Sequence, residues 1–394
     1  MRFMIDFTQI PVLRTGVGVY AENLACELDH LVGSGDSLFV LIQSDEQSLP
    51  KQLGAAKNVQ FVRISSRLFR NRAALLFFEQ LVLPFILLGY RIEVLHSLHY
   101  THPLICPCRR VVTIHDLTFL LFPGLHTWGR RLIIPFFIRH AMRNADAVIF
   151  VSESTRSDAE RIITRSRALG AVVPLGVDPN YSLSPESEEL CSRLTKLGVN
   201  QPFILNIGTI EPRKNLLRLI EAFENVADHR PELSLVLAGK LGWFYSQILA
   251  QINGSRHAER ILAIGFVTEY DKRALLNACE LFIYPSLYEG FGLPVLEAMS
   301  AGAPVITSSN SSLAEVAGDA AELVDPESVS ELSNAISHLL EDEGKMAALR
   351  GRGKSRSASF TWANTARKTY DVYVKTVSKP IEDSPSFAKE WREE

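Results

Sequence analysis

Two glutamates, Glu289 and Glu297, frame a pair of glycines and a proline in the stretch YPSLYEGFGLPVLEAMSAGAPVI, residues 284–306. The preceding LFIYPS reads as a strand, and Gly290 and Gly292 make the turn after it. Pro294 suits the first position of a helix, which places the helix N-terminus near Leu293. Its unpaired N–H groups then face the loop side, and the glycines let a ligand approach the backbone. A carboxylate accepts two hydroxyls at once. Glu289, just outside the helix, therefore suits sugar hydroxyls, and Glu297, about one turn in, suits a ribose. Glu297 could instead only complement the helix dipole; that accounts for one acid but not for the paired glycines.

A second turn of this kind lies in NIGTIEPRKNLLRLIEAF, residues 206–223. Arg213 and Lys214 stand where a helix is expected to begin, near Asn215. Two cations at the positive end of a helix are locally unfavourable unless an anion sits there. Backbone N–H groups and two cations would converge on a phosphate or diphosphate. The alternative is that both side chains extend into water, with Glu211 as a neighbour.

Two further stretches carry weaker signals. In LRTGVGVYAENL, Gly16 and Gly18 occupy a strand-to-helix turn, with a helix expected from about Val19. Tyr20 and Ala21 depart from the full dinucleotide fingerprint, so a plain tight turn stands beside the phosphate reading. VVTIHDLT places His115 and Asp116 at the end of a strand. His115 is either a substrate contact or a structural hydrogen-bonder. HSLHYTHP offers His96, His99 and His102 at spacings of three. A zinc site is set aside because no cysteine or fourth ligand completes it; His99 and His102 are expected on a loop beside the ligand cleft.

The elements that must position these groups follow from hydrophobic patterning. FMIDF, LFVLI, VQFVRI, IEVLH, RVVTIH and AVIFVS are continuous apolar runs separated by helix-like stretches. Such runs suit parallel strands buried on both faces, and their alternation with helices suits a doubly wound α/β domain. Residues 174–202 break the rhythm with Pro, Ser and Glu and read as a linker. A second series follows: FILNIG, LSLVLAG, ILAIGF, LFIYPS, PVITS and AELVD. Two Rossmann-like domains with a ligand cleft between them are therefore expected. Their boundaries are placed at 1–177 and 178–360, with a last helix at 361–379 and a polar, fraying tail at 380–394.

Composition narrows the class. A net charge of -3 over 394 residues leaves no electrostatic footprint for nucleic acid. The five cysteines, Cys26, Cys106, Cys108, Cys191 and Cys279, form no paired framework and suit a reducing compartment. MRFMIDFTQI lacks the cationic start and long apolar core of a signal peptide and reads as a first buried strand. LLFFEQLVLPFILLGY, residues 75–90, is interrupted by Glu79, Gln80 and Pro84 and falls short of the roughly 20 residues of a spanning helix. A buried helix is expected there. A helix resting on a membrane surface is the alternative, with Arg63, Arg67, Arg70 and Arg72 just upstream.

Taken together, EGFGLPVLEAMSAGAPVI with its E-x7-E pair and the upstream GTIEPRKN resemble the donor site of family 4 glycosyltransferases, retaining enzymes of the GT-B fold. PLGVDP resembles their interdomain segment, and TGVGVY and VVTIHDL resemble their N-domain loops. The resemblance implies that Arg213 and Lys214 bind the donor diphosphate, Glu297 the ribose and Glu289 the donor-sugar hydroxyls. It implies that the amides of Phe291, Gly292 and Leu293 line the sugar and phosphate pocket, and that the base lies near Gly265, Phe266 and Val267. His115 would contact the donor sugar, Gly16 and Gly18 would approach the diphosphate, and the helix near Trp362 would return to the N-domain. No metal and no cofactor beyond the nucleotide-sugar substrate are implied. The opening MIDFTQIPVLRTGVGVY resembles bacterial mannosyl- and other hexosyltransferases of polysaccharide synthesis, which favours GDP-mannose and leaves UDP-, dTDP- and other GDP-sugars open. A saccharide acceptor, lipid-linked and met at the cytoplasmic face of the plasma membrane, fits the apolar stretches 75–90 and 132–137 beside Arg130 and Arg131. A GT-B epimerase and a non-catalytic subunit that kept the fold remain as rivals, because fold alone does not decide function.

Overall fold

The computed structural model describes residues 1–10, 14, 16–33, 35–53, 58–66, 71–126, 128–164 and 166–378. The tail 380–394, expected to fray, lies outside the described residues, as do Arg67 and Arg70. The chain forms two units, one of 1–176 with the segment from Trp362 onward, the other Val177–Thr361.

The first unit is built on seven parallel strands: β1 (Arg2–Asp6), β2 (Ser37–Gln43), β3 (Val59–Ile64), β4 (Val94–Ser97), β5 (Arg109–Ile114), β6 (Ala147–Phe150) and β7 (Leu169–Val172). Their order is β3-β2-β1-β4-β5-β6-β7, so the winding reverses between β1 and β4. Met4 and Leu95 face the helical segment 72–89 through Phe78, Leu83 and Leu87. Val112 and Val148 face the helix Trp128–Asn144 through Ile138 and Met142. The helix Val17–Leu31 packs beside the C-terminal helix Trp362–Ser378. Tyr373 of the latter reaches the sheet, where its ring meets Phe3 and its hydroxyl lies 2.6 Å from His96 Nδ1. Strand β7 was not legible: LGAV is short, lies at the sheet edge and carries Gly170.

The second unit has six parallel strands, β8 (Phe203–Ile207), β9 (Ser234–Ala238), β10 (Ile261–Gly265), β11 (Leu281–Tyr284), β12 (Val305–Ser308) and β13 (Glu322–Val324). The order β10-β9-β8-β11-β12-β13 puts its reversal between β8 and β11. This is the point at which ligands of open α/β sheets bind, beyond the carboxyl ends of the strands.

Two expectations are corrected. The stretch read as a linker contains the helix Ser187–Leu197, closed by left-handed Gly198. Its Ser and Glu residues belong to a first helical turn, where acids complement the dipole, and Arg193 ties it to Asp271 at 3.1 Å. The segment 72–89 is not a buried helix. It runs as helix Arg72–Phe77, a wider π turn Phe78–Val82 and helix Leu83–Gly89, and only one side of it meets the core. The π turn accommodates Pro84, which lacks an N–H and would crowd the carbonyl four residues back. Among the described residues no helix is long and apolar enough to cross a membrane. All five cysteines are free, and Cys106 and Cys108 lie with their sulfurs 3.6 Å apart.

Candidate active site

Because β8 and β11 are neighbours, the loops that follow them lie side by side. After β8 the chain makes a short 3-10 turn, Pro212–Lys214, and passes through left-handed Asn215 into the helix Leu216–Ala227. The Asn215 side chain pins this turn by donating to the carbonyls of Pro285 at 3.0 Å and Pro326 at 2.6 Å. After β11 the loop ends at Gly292, whose φ of 111° admits few side chains, and the helix Leu293–Ala301 begins at Leu293 with Pro294 in its first turn. A Cβ on Gly292 would also lie 2.8 Å from Leu313 Cδ2.

The two loops meet through charge. Arg213 Nη1 lies 2.6 Å from Glu289 Oε2, and Lys214 Nζ lies 2.6 Å from Glu289 Oε1. Arg213 also grips Glu211 at 2.8 Å and the Tyr288 carbonyl at 2.9 Å. Lys214 donates to the Tyr284 hydroxyl and lies 4.7 Å from the centre of that ring. Lys214 is buried and Arg213 is largely covered, so the alternative in which both reach into water is overturned. Burial works to raise the Glu289 pKa, but Arg213 and Lys214 outweigh it and hold the carboxyl at about 2. Burial pulls the Lys214 ammonium below its ordinary value; Arg213 adds to this and Glu289 opposes it. Glu211 is raised by burial against the pull of Arg213.

Glu297 belongs to a second cluster. It is buried and accepts from Lys272 Nζ at 2.9 Å. Lys272 also reaches Glu269 at 3.2 Å and lies over the Tyr181 ring, whose hydroxyl donates to Glu269. Burial raises the Glu297 pKa and Lys272 opposes that rise. Sequence reasoning missed Lys272, Tyr181 and Glu269, since no local spacing ties them to Glu297.

It also missed a glycine pattern that was readable. The β8, β9 and β10 segments end in NIG, LAG and AIG. Gly239 donates to the Gly265 carbonyl at 2.7 Å, and a Cβ at Gly239 would fall 1.9 Å from the Gly208 carbonyl oxygen. These glycines bring three strand-end loops together closely. Gly265, with φ of 75°, and exposed Phe266 close the β10 end, while Val267 turns inward. Phe291 is buried edge-on against Phe360.

The remaining candidate residues lie in the first unit. Gly16, with φ of 40°, is open on its Cα side. Gly18 is not part of that turn, because the helix begins at Val17. It is buried, and a Cβ there would lie 3.2 Å from Arg14 Cδ, so its smallness serves packing. His115 Nε2 donates to the Leu98 carbonyl at 2.9 Å, and the ring meets Tyr20 edge-on. Burial lowers its pKa, so it is neutral near pH 7. His96 lies between Tyr373 and Thr113, with burial lowering its pKa to about 3. His102 lies on a loop, as expected, but its ring is fully buried, with Nε2 2.9 Å from His140 Nδ1, rather than open to a ligand. The described residues contain no group of three metal-ligating side chains.

Two glycosyltransferase family models cover most of the chain: Glycosyltransferase Family 4 over residues 14–181 and Glycosyl transferases group 1 over residues 193–356. The O-antigen chain mannosyltransferase B of Escherichia coli is 32% identical over 67% of this chain and 70% of its own length. The serotype-specific mannosyltransferase WbdA of Escherichia coli is 32% identical over 72% of this chain, which spans 35% of WbdA. Among solved structures, HepE of Anabaena with UDP and glucose matches with a TM-score of 0.75 at 19% identity over 95% of this chain and 99% of that one. WaaG, a glycosyltransferase of lipopolysaccharide biosynthesis, gives 0.72 at 14% identity over 94% and 99%. The fold is GT-B, two Rossmann-like parallel-sheet domains. The chain belongs to the family 4 glycosyltransferases and is a glycosyltransferase.

Proposed function

We propose that this enzyme transfers a hexose, with retention and without a metal, from a nucleotide sugar to a saccharide acceptor during surface polysaccharide synthesis. GDP-mannose is the favoured donor, because two similar relatives are named mannosyltransferases. The observation that carries the reading is the junction of Arg213, Lys214 and Glu289 at the reversal point of the second sheet.

In this reading the donor diphosphate takes the positive field of Arg213 and Lys214 and of the helix start at Leu293. The amides of Phe291, Gly292 and Leu293 line the pocket, Glu297 holds the ribose, and the base lies by Gly265, Phe266 and Val267. Glu289 takes donor-sugar hydroxyls and positions them. The bond from the anomeric carbon to the diphosphate breaks, leaving an oxocarbenium-like sugar. The acceptor oxygen bonds to that carbon from the same face, and its proton passes to the departing phosphate. Charge that builds on the leaving group is met by fixed cations, the role a divalent metal plays elsewhere. The acceptor is a lipid-linked saccharide in the first unit's keeping, met from the cytoplasmic side of the membrane.

The test is a panel of sugar nucleotides with EDTA present, reading nucleotide release and transfer to mannose-bearing acceptors. Transfer with retention, fastest from GDP-mannose, is expected. Preference for UDP-glucose would move the donor assignment. A changed sugar with no acceptor product would favour an epimerase, and no turnover of any donor would favour a non-catalytic subunit.

A further inference from the structure

We propose that the outer face of two helices in the first unit, the segment 72–89 and Trp128–Asn144, docks on an anionic lipid bilayer. It gives the lipid-linked acceptor reading a physical means, and so rests on that reading for its purpose.

The register shows that both helices cover one face of the sheet. Met4 pairs with Leu95 and Leu95 with Arg110, and parallel register partners point to the same side. Met4 and Leu95 pack on the segment 72–89. Val112 and Ile114, two and four positions beyond Arg110, pack on Trp128–Asn144. A loop joins the two helices laterally: Gln80 donates to the His102 carbonyl at 2.9 Å, and the His102 ring meets Phe137. Two helices side by side on one face share one outer surface.

That surface is apolar where water is expected. Phe77, Leu81, Phe85 and Leu88 recur at steps of four, four and three and are exposed, Phe85 at 73%. Trp128, Leu132 and Phe136 recur at steps of four and are exposed, Trp128 at 77%. Isolated exposed apolar residues need no explanation, but two aligned helical stripes do. On the second helix the stripe continues, at steps of three and then four, into exposed Arg139 and Arg143.

Charge selects the occupant. Residues 71–92 and 117–144 contain a single acid, Glu79, and it is buried. Their exposed charges are cationic: Arg91, Arg131, Arg139 and Arg143. A second copy of this face would bring like charges together, whereas an anionic headgroup layer accepts the arginines as the aromatic and leucine side chains sink below it.

The test is flotation of the full chain with vesicles of phosphatidylcholine alone or mixed with phosphatidylglycerol. The wild-type chain is expected to float with the mixed vesicles. The double variant Phe85→Ser/Trp128→Ser is expected to lose about tenfold or more of that partition, from the apolar area it no longer buries. Arg139→Glu/Arg143→Glu is expected to lose binding to the mixed vesicles at low salt, and Leu183→Ser, an exposed leucine of the other unit, to behave as wild type. Each variant is exposed, so its melting and its nucleotide release with a water-soluble acceptor are expected to hold. Equal partition of the wild type and the Phe85→Ser/Trp128→Ser variant, or no flotation at all, overturns the proposal. So does a concentration-dependent dimer that this variant abolishes in a chain that does not float. Flotation without turnover of any sugar nucleotide supports docking and counts instead against the donor-site reading.

Discussion

Lys214 and Glu289 are 75 positions apart in the chain, and Lys214 Nζ donates to Glu289 Oε1 at 2.6 Å. Arg213 holds the other carboxylate oxygen, so the acid is clamped from both sides. The carboxylate supplies the negative charge that buried Lys214 and largely covered Arg213 require. A diphosphate arriving there would take over part of that neutralisation and release Glu289 toward sugar hydroxyls.

Lys214→Ala is expected to lower turnover by about 10²–10³ through loss of charge stabilisation in the transition state. Arg213 still pairs with Glu289, so the fold is expected to persist, which circular dichroism checks. Transfer at the wild-type rate would remove Lys214 from the site.

Glu289 also marks the acid side of the stability profile. Its folded pKa of about 2 lies below the ordinary glutamate value. A depressed carboxyl contributes stability that is present above the unfolded pKa, near 4.3, and is lost as pH falls toward 2; the shift corresponds to about 3 kcal/mol at most. Urea melts from pH 6 to 2 are expected to show a steeper loss for the wild type than for Glu289→Gln. Parallel curves would show that the clamp contributes little.

Glu297→Ala is expected to raise the donor KM at least tenfold if it holds a ribose, with its partner Lys272 left to pair with Glu269 alone. Lys272→Met provides the contrast: it keeps the acid but removes the group that orients it, and is expected to weaken donor binding less than Glu297→Ala. Unchanged donor affinity in Glu297→Ala would end the ribose assignment.

Backbone approach gives a test independent of activity. Gly239→Ala would put a Cβ 1.9 Å from the Gly208 carbonyl oxygen, at a φ of 154°, and is expected to cost about 3 kcal/mol or more. Gly351, in the helix Glu343–Ser357, has open space at its Cβ position. Gly351→Ala is expected to raise stability by up to about 1 kcal/mol. Thermal melts of the two variants moving in the same direction would contradict the close approach.

Activity is expected to persist in EDTA. Complete loss, restored only by Mg²⁺ or Mn²⁺, would refute the role given to Arg213 and Lys214.

The amino-acid sequence by itself determined every strand but β7, and the turns that open the helices after β8 and β11. Short continuous apolar runs such as FILNI and LFIY, bounded by turn residues, suit buried parallel strands, and Gly-Leu-Pro starts the helix at Leu293 because glycine tolerates the turn and proline the first helical positions. These are local preferences, decided within a few residues. What only the tertiary structure decided is who meets whom. The adjacency of β8 and β11 brings Glu289 onto Arg213 and Lys214, and packing of the Glu269–Ala278 helix brings Lys272 onto Glu297. Likewise, which side of 72–89 is buried depends on the sheet beneath it, because a helix apolar on nearly every side, with its one acid, Glu79, turned inward, carries no pattern of its own to say which face is buried.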